Sequence, residues 1–146
     1  MNPDYKLADF SRRIQMPVRW GDMDSMGHVN NAMYFTFDES GRIGYFQELM
    51  KDDTRFWKDY GFILAHVEAD FIAQLRYPAT LEIGTRVSRI GGRSLNTLSA
   101  MFSDGNLIAV TKGVVVWFDY AKQQTLPIPE FVRELIRKRE IVKPEE

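Results

Sequence analysis

Cysteine is absent from the 146 residues of this chain, which removes disulfides, thiolate metal sites and cysteine nucleophiles together. Histidine is scarce: His28 and His66 alone carry imidazoles, and they do not share the short helical spacing of a metal site. No metal or redox cofactor is therefore expected. An excess of one charge is missing as well. With 19 basic and 20 acidic residues the net charge is -1, so no global field draws the chain to nucleic acid or to a membrane surface. An anionic ligand has to be held by local cations. No apolar run approaches the roughly 18 residues of a membrane span, and Met1-Asn2-Pro3-Asp4-Tyr5-Lys6 lacks a basic-then-apolar leader pattern. A soluble, cytoplasmic protein without membrane insertion is the expectation. What the chain does have is 45% hydrophobic and 13% aromatic residues, enough for one well-buried domain over 1–146, with its core at about 11–139.

Periodicity orders the elements. Residues 1–10 read as a partly ordered lead-in. Arg13 to Trp20 alternates, with Ile14, Met16, Val18 and Trp20 on one face, and reads as a strand. Pro17 cannot donate to a ladder, which places that strand at an edge or a bulge. From Asn31 to about Met50 the pattern is helical and apolar nearly all round, as in an enclosed helix. Ser40, Gly41 and Gly44 cluster on one side of it and point to close approach of a sheet or a ligand. Thr54–Tyr60 reads as a short helical turn ended by Gly61. Four strands follow, Phe62–Phe71, Leu81–Ile90, Leu95–Phe102 and Leu107–Tyr120, broken at Tyr77-Pro78, Gly91-Gly92 and Ser103-Asp104-Gly105-Asn106. The last two breaks suit hairpins, so an antiparallel meander is expected. Pro127 and Pro129 introduce a terminal helix, Glu130–Arg139, with Phe131, Val132, Leu135 and Ile136 on its apolar face. The fold class is α+β: a curved antiparallel five-stranded sheet wrapped around one long helix, with a C-terminal helix.

The densest chemistry lies at the first strand-to-helix junction, Gly21-Asp22-Met23-Asp24-Ser25-Met26-Gly27-His28-Val29-Asn30-Asn31. A plain connection needs a turn residue and a helix cap. Two carboxylates, an imidazole and two amides at a helix N-terminus suit attack on a carbonyl and retention of the resulting negative charge. Asp24 is expected to carry that chemistry, and Asp22 to be a structural loop acid. His28 has three open roles: orienting Asp24, touching substrate, or packing into the loop. Of Asn30 and Asn31, one is expected to cap the helix and the other to donate to a carbonyl or position water; the residues alone do not choose between them.

This junction, followed by Tyr34, resembles that of the hotdog-fold thioesterases, specifically the branch similar to hydroxybenzoyl-CoA thioesterase. Tyr77-Pro78, Gly92-Arg93-Ser94 and Val115-Val116-Trp117-Phe118-Asp119 are weaker matches, and the resemblance runs from about Arg13 to Ile136. It implies hydrolysis of an acyl thioester of coenzyme A or acyl carrier protein. It also implies a homodimer whose second strands pair into one sheet, with active sites between subunits, or a homotetramer of two such dimers. Carried over by motif position, Asp24 is the catalytic carboxylate and the backbone N–H near Asn31 polarises the carbonyl. The hydroxybenzoyl enzyme has bulkier aromatic residues where this chain has His28-Val29-Asn30-Asn31, so a fatty acyl group, and hence a place in lipid metabolism, is expected ahead of benzoyl. Tyr34 is a candidate wall of the acyl channel. Arg89, Arg93 and Lys112, with Ser94 beside them, are candidates for the coenzyme A phosphates.

Two further residues have plainer readings. Glu39 is expected to pair with Arg42 on the helix face, although a related hotdog branch places its catalytic glutamate on this helix. His66 alternates with Glu68 and Asp70 as a solvated or subunit-facing surface. Two other functions fit the fold: a dehydratase or hydratase recruiting His28, and a non-catalytic acyl-CoA-binding protein. The first would call for a histidine-proline segment, which the chain lacks, and the second for a fused regulatory segment, for which 146 residues leave no room.

Overall fold

The computed structural model describes residues 4–146; Met1, Asn2 and Pro3 of the lead-in lie outside the described residues. Strand β1 (Arg12–Pro17) is followed by a single 3-10 turn at Trp20–Asp22 and by helix α1 (Met33–Leu49). Strands β2 (Tyr60–Phe71), β3 (Thr80–Ile90), β4 (Ser94–Ser103) and β5 (Asn106–Asp119) come next. A two-residue strand β6 (Gln124–Thr125) and helix α2 (Glu130–Arg139) complete the order. The sheet runs β1-β3-β4-β5-β2, antiparallel at every pairing, with β6 attached to β5. It curls around α1, the arrangement that the resemblance implies.

Local chemistry accounts for the turns. Asp104 and Gly105 both take positive φ (49° and 79°) between Ser103 and its partner Asn106. This is the two-residue hairpin that an Asp-Gly pair favours. β1 lies at a sheet edge, as Pro17 requires. At Gly41 a Cβ would come 2.6 Å from Thr85 Oγ1 and 3.1 Å from Ile83 Cγ2, so the bare glycine is what lets α1 settle onto β3. The buried face of α1 is also polar: Asp38 accepts from Arg42 Nε (3.0 Å) and from Thr111 Oγ1 (2.6 Å).

Several expectations are corrected. β2 does not join a meander with β3; it pairs with β5 at the far edge, because Ile72–Ala79 carries the chain across the sheet. Trp20 is not on the apolar face of β1: the strand ends at Pro17, and Trp20 sits in the 3-10 turn with 74% of its surface exposed. Thr54–Tyr60 contains no helix, and Tyr60 already belongs to β2. Arg42 pairs with Asp38 four residues back, one turn of helix away, and leaves Glu39 exposed. On α2, Val132 and Ile136 are buried whereas Phe131 and Leu135 are exposed. Helix α1 is enclosed on one side only, since Phe35 and Ile43 remain exposed in the single chain. The described part of the lead-in is anchored at its end: Phe10 is fully buried with Leu98, Ala100, Phe102 and Val110, against Gly84.

Behind α2 the chain repairs the edge of β3 where β1 stops. Glu140 Oε2 accepts from the Val87 N–H and the Tyr45 hydroxyl, and the Glu145 backbone exchanges hydrogen bonds with Ser88 and Ile90. Burial raises the Glu140 carboxyl above its ordinary range and, with the neighbouring Glu140 charge, raises the Tyr45 phenol well above its own. No helix among the described residues is long and apolar enough to cross a membrane.

Candidate active site

The junction folds back on itself, which sequence spacing alone does not establish. Gly27 N donates to Asp24 O (3.1 Å) and Asp24 N to His28 O (2.8 Å), with Gly27 at φ 81°. That is a tight turn over Asp24–Gly27 closed by a glycine bulge, a standard three-residue hairpin loop. Asp24 suits its first position because its own Oδ1 accepts the Met26 N–H at 2.8 Å. Met23 bridges Val29 across the hairpin, and Asn30 N donates to Asp22 O (3.0 Å). The hairpin thus returns the chain so that Asp24 and the entry to α1 face the same space.

Asp22 is the structural acid of the pair. It is 1% exposed, and it accepts from the Arg19 backbone N–H (2.8 Å) and guanidinium (2.9 Å). These bonds hold its carboxyl below the ordinary range although burial acts the other way. Asp24 is exposed; Oδ1 is held by the loop, and Oδ2 has no protein donor among the described residues.

The two asparagines divide their work. Asn30 Oδ1 accepts the Ala32 N–H (2.9 Å), and Asn30 O accepts the Met33 N–H (2.9 Å); Asn30 thus closes the turn that leads into α1, whose own N-cap, Ala32, has no side-chain bond. Asn31 O accepts the Tyr34 N–H at 3.2 Å, while the Asn31 N–H itself meets no acceptor among the described residues. Among the described residues the His28 side chain makes no hydrogen bond to Asp24. Its Nε2 lies 2.9 Å from Nη2 of Arg76, in the β2–β3 connection.

Asp24, Met26, His28, Asn31 and Tyr34 line a cleft of about 440 Å³, whose opposite wall is the end of β2 and the start of the β2–β3 connection, Phe71–Gln74. Tyr34 is buried, with its ring edge-on to Phe37 (5.8 Å) and Phe71 (5.5 Å). Burial raises its phenol, so it stays protonated at neutral pH. Sequence reasoning misses Phe71, Gln74 and Arg76 as site residues. They sit far along the chain from the junction, and nothing local marks them.

The candidate cations for phosphate are not at this cleft in one chain. Arg93 Nη1 donates to the Thr125 carbonyl at 2.8 Å, and Ser94 O accepts the Gly91 N–H at 2.7 Å. Ser94 pairs with Val116 on β5, whereas cleft residue Phe71 pairs with Ala109. Seven residues at about 3.3 Å each separate these levels by roughly 23 Å. Arg89 is exposed beside the same β3–β4 turn. Lys112 lines a different concavity, with His66, Glu68 and Arg86. His66 and Glu68 are exposed, with 3.9 Å between Nε2 and Oε1. Among the described residues no group of three or more His, Asp or Glu side chains is placed to hold a metal ion.

Comparison with known proteins agrees with this architecture. A thioesterase from Thermus thermophilus, solved with coenzyme A and Zn, is 31% identical and superposes with a TM-score of 0.80 over 90% of this chain and 96% of its own. The PA2801 protein of Pseudomonas aeruginosa is 28% identical, with a TM-score of 0.77 over 87% of this chain and 98% of its own. The uncharacterised protein YsmA of Bacillus subtilis is 30% identical over 88 residues, 60% of this chain and 58% of that protein. The sequence pattern of the thioesterase-like superfamily matches residues 18–136, from the end of β1 into α2. The chain belongs to the thioesterase-like superfamily, a family of thioester hydrolases.

Proposed function

We propose that this protein hydrolyses the thioester of an acyl-coenzyme A to a free carboxylic acid and a thiol, with the chemistry in the Asp24 cleft. One observation carries the reading: Asp24, whose Oδ2 has no protein donor among the described residues, and Asn31, whose backbone N–H has no acceptor among them, line one cleft at the entry of α1. Thioester hydrolysis asks for these two things, an oxygen that attacks the acyl carbon or takes a proton from the water that does, and a donor for the oxyanion. The leaving thiolate needs little acid help. Tyr34 and Phe71 give the acyl group an apolar wall. Coenzyme A is favoured over acyl carrier protein by the ligand of the Thermus thermophilus relative.

Purified protein offered a panel of acyl-CoAs, aliphatic and aromatic, should release free thiol from at least one of them. Absence of thiol with all of them would refute the reading. Consumption of an enoyl or hydroxyacyl-CoA without thiol release would replace it by hydration chemistry, and tight binding without turnover by an acyl-CoA sensor.

The working unit in this reading is a homodimer or a pair of dimers. β2 is a 12-residue edge strand with one free flank, and it leaves Ile63, Leu64 and Phe71 exposed. A long apolar edge of this kind is a pairing surface. A second copy joined there is also the way for Arg89, Arg93 and Ser94, so far from the cleft of their own chain, to meet a phosphate of the bound coenzyme. Light scattering should therefore give a mass of two or four chains, and Leu64→Lys should shift it toward one chain with loss of turnover. A wild-type monomer with full activity would exclude the pairing.

A further inference from the structure

We propose that Arg76 is a positioning residue: its guanidinium sets the tautomer of His28 and so decides which imidazole nitrogen offers a proton to the substrate. The functional half of this proposal rests on the thioesterase reading; the tautomer half does not. Arg76 belongs to the Ile72–Ala79 connection, 48 residues beyond His28, and its Nη2 stands 2.9 Å from His28 Nε2. A guanidinium is donor-only and stays charged. Nε2 is therefore the acceptor, and the neutral ring carries its proton on Nδ1.

The contact is braced from both sides. Val29 N donates to Leu75 O (2.8 Å), which ties the loop to the connection one residue before Arg76, and Asp24 N donates to His28 O (2.8 Å). Among the described residues no carboxylate lies within ion-pair distance of Arg76, so the guanidinium is not diverted from the imidazole. The titratable and charged groups around His28 are Asp24 on its own loop, Tyr34 from α1 and Arg76 from the connection. Of these the Tyr34 phenol is held protonated by burial, and Asp22 below is committed to Arg19.

The two side chains of the loop then have different tasks. With Nε2 occupied by Arg76, His28 cannot accept a proton there, and it presents a single Nδ1–H donor. Asp24 is left as the group in the cleft that attacks or takes a proton from water, while His28 grips an acceptor on the bound thioester. Arg76 acts only through that ring, and no covalent step involves it.

The chain has two histidines, so long-range proton–nitrogen correlation spectra of 15N-labelled protein resolve both rings, with the exposed His66 as internal reference. The spectra are taken near pH ~8.5, about two units above the ordinary imidazole value. His28 should carry its proton on Nδ1 in the wild type and in Arg76→Lys, and should revert toward the His66 pattern in Arg76→Met. A wild-type His28 protonated on Nε2 overturns the assignment. In kinetics, Arg76→Met and His28→Ala should each lower kcat/KM about three- to tenfold, the loss of one hydrogen bond. The double variant should be no worse than His28→Ala. Losses that multiply would mean that Arg76 acts on substrate directly, and would overturn the proposal. The spectra need no substrate, so they decide the tautomer even where thiol release fails.

Discussion

Asp24→Asn is expected to lower thiol release by about 10²–10⁴-fold, the range associated with losing a positioned general base, while the melting temperature stays nearly unchanged. The side chain is exposed, and its one hydrogen bond among the described residues is the Met26 N–H donated to Oδ1. An asparagine carbonyl accepts that same bond in the same turn, so the hairpin and the position of α1 survive. What the substitution removes is the negative charge and basicity of Oδ2, the atom without a protein donor among the described residues. Exposed substitutions of this kind usually move stability by less than about 0.5 kcal/mol, so a fall in rate cannot be assigned to unfolding. The companion change Asp22→Asn should do the reverse. Asp22 is buried against Arg19, and losing its charge weakens the start of the loop more than it touches the chemistry. A variant Asp24→Asn that kept most of its turnover, measured as thiol release under saturating acyl-CoA, would remove Asp24 from the mechanism.

Legibility in the chain tracks the range of the forces involved. The Asp104-Gly105 turn, the limits of α2 and the edge position of β1 depend on neighbours a few residues away, and each can be read from them. The loop acid Asp22 and the turn closed by Asn30 are legible for the same reason, as turn and cap chemistry. Glu39 fails because two acids stand beside Arg42 at helical spacing; Asp38 at four residues wins, since its other oxygen also meets Thr111 on β5. Trp20 fails because alternation continues past the residue where pairing stops. The order of the sheet, with β2 beyond β5, rests on pairings between residues far apart in the chain. No short window contains that. The cleft shows both cases. Its near wall, Asp24 to Tyr34, is one continuous motif, whereas Phe71, Gln74 and Arg76 arrive through the sheet and carry no mark.

The donor at the entry of α1 admits a test that side-chain deletion cannot give, because the group concerned is the backbone N–H of Asn31. Asn31→Ala keeps that N–H and the carbonyl that accepts from Tyr34 N, and should retain most of the turnover if the side chain amide is not itself the donor. Asn31→Pro removes the N–H together with the side-chain amide, so its difference from Asn31→Ala isolates the N–H. A proline ring just ahead of the first helical turn is well tolerated, since the N–H groups there have no partner within the helix, and Asn31 N makes no hydrogen bond among the described residues. Losing one oxyanion donor typically costs about 10²–10³ in rate, so Asn31→Pro should fall by that factor in kcat with a much smaller change in KM. The contrast between the two variants carries the inference, provided circular dichroism shows the same melting transition for both. Equal activity in Asn31→Pro and Asn31→Ala would mean that the carbonyl oxygen is held elsewhere. The loss appearing already in Asn31→Ala would move the role from the main chain to the side-chain amide.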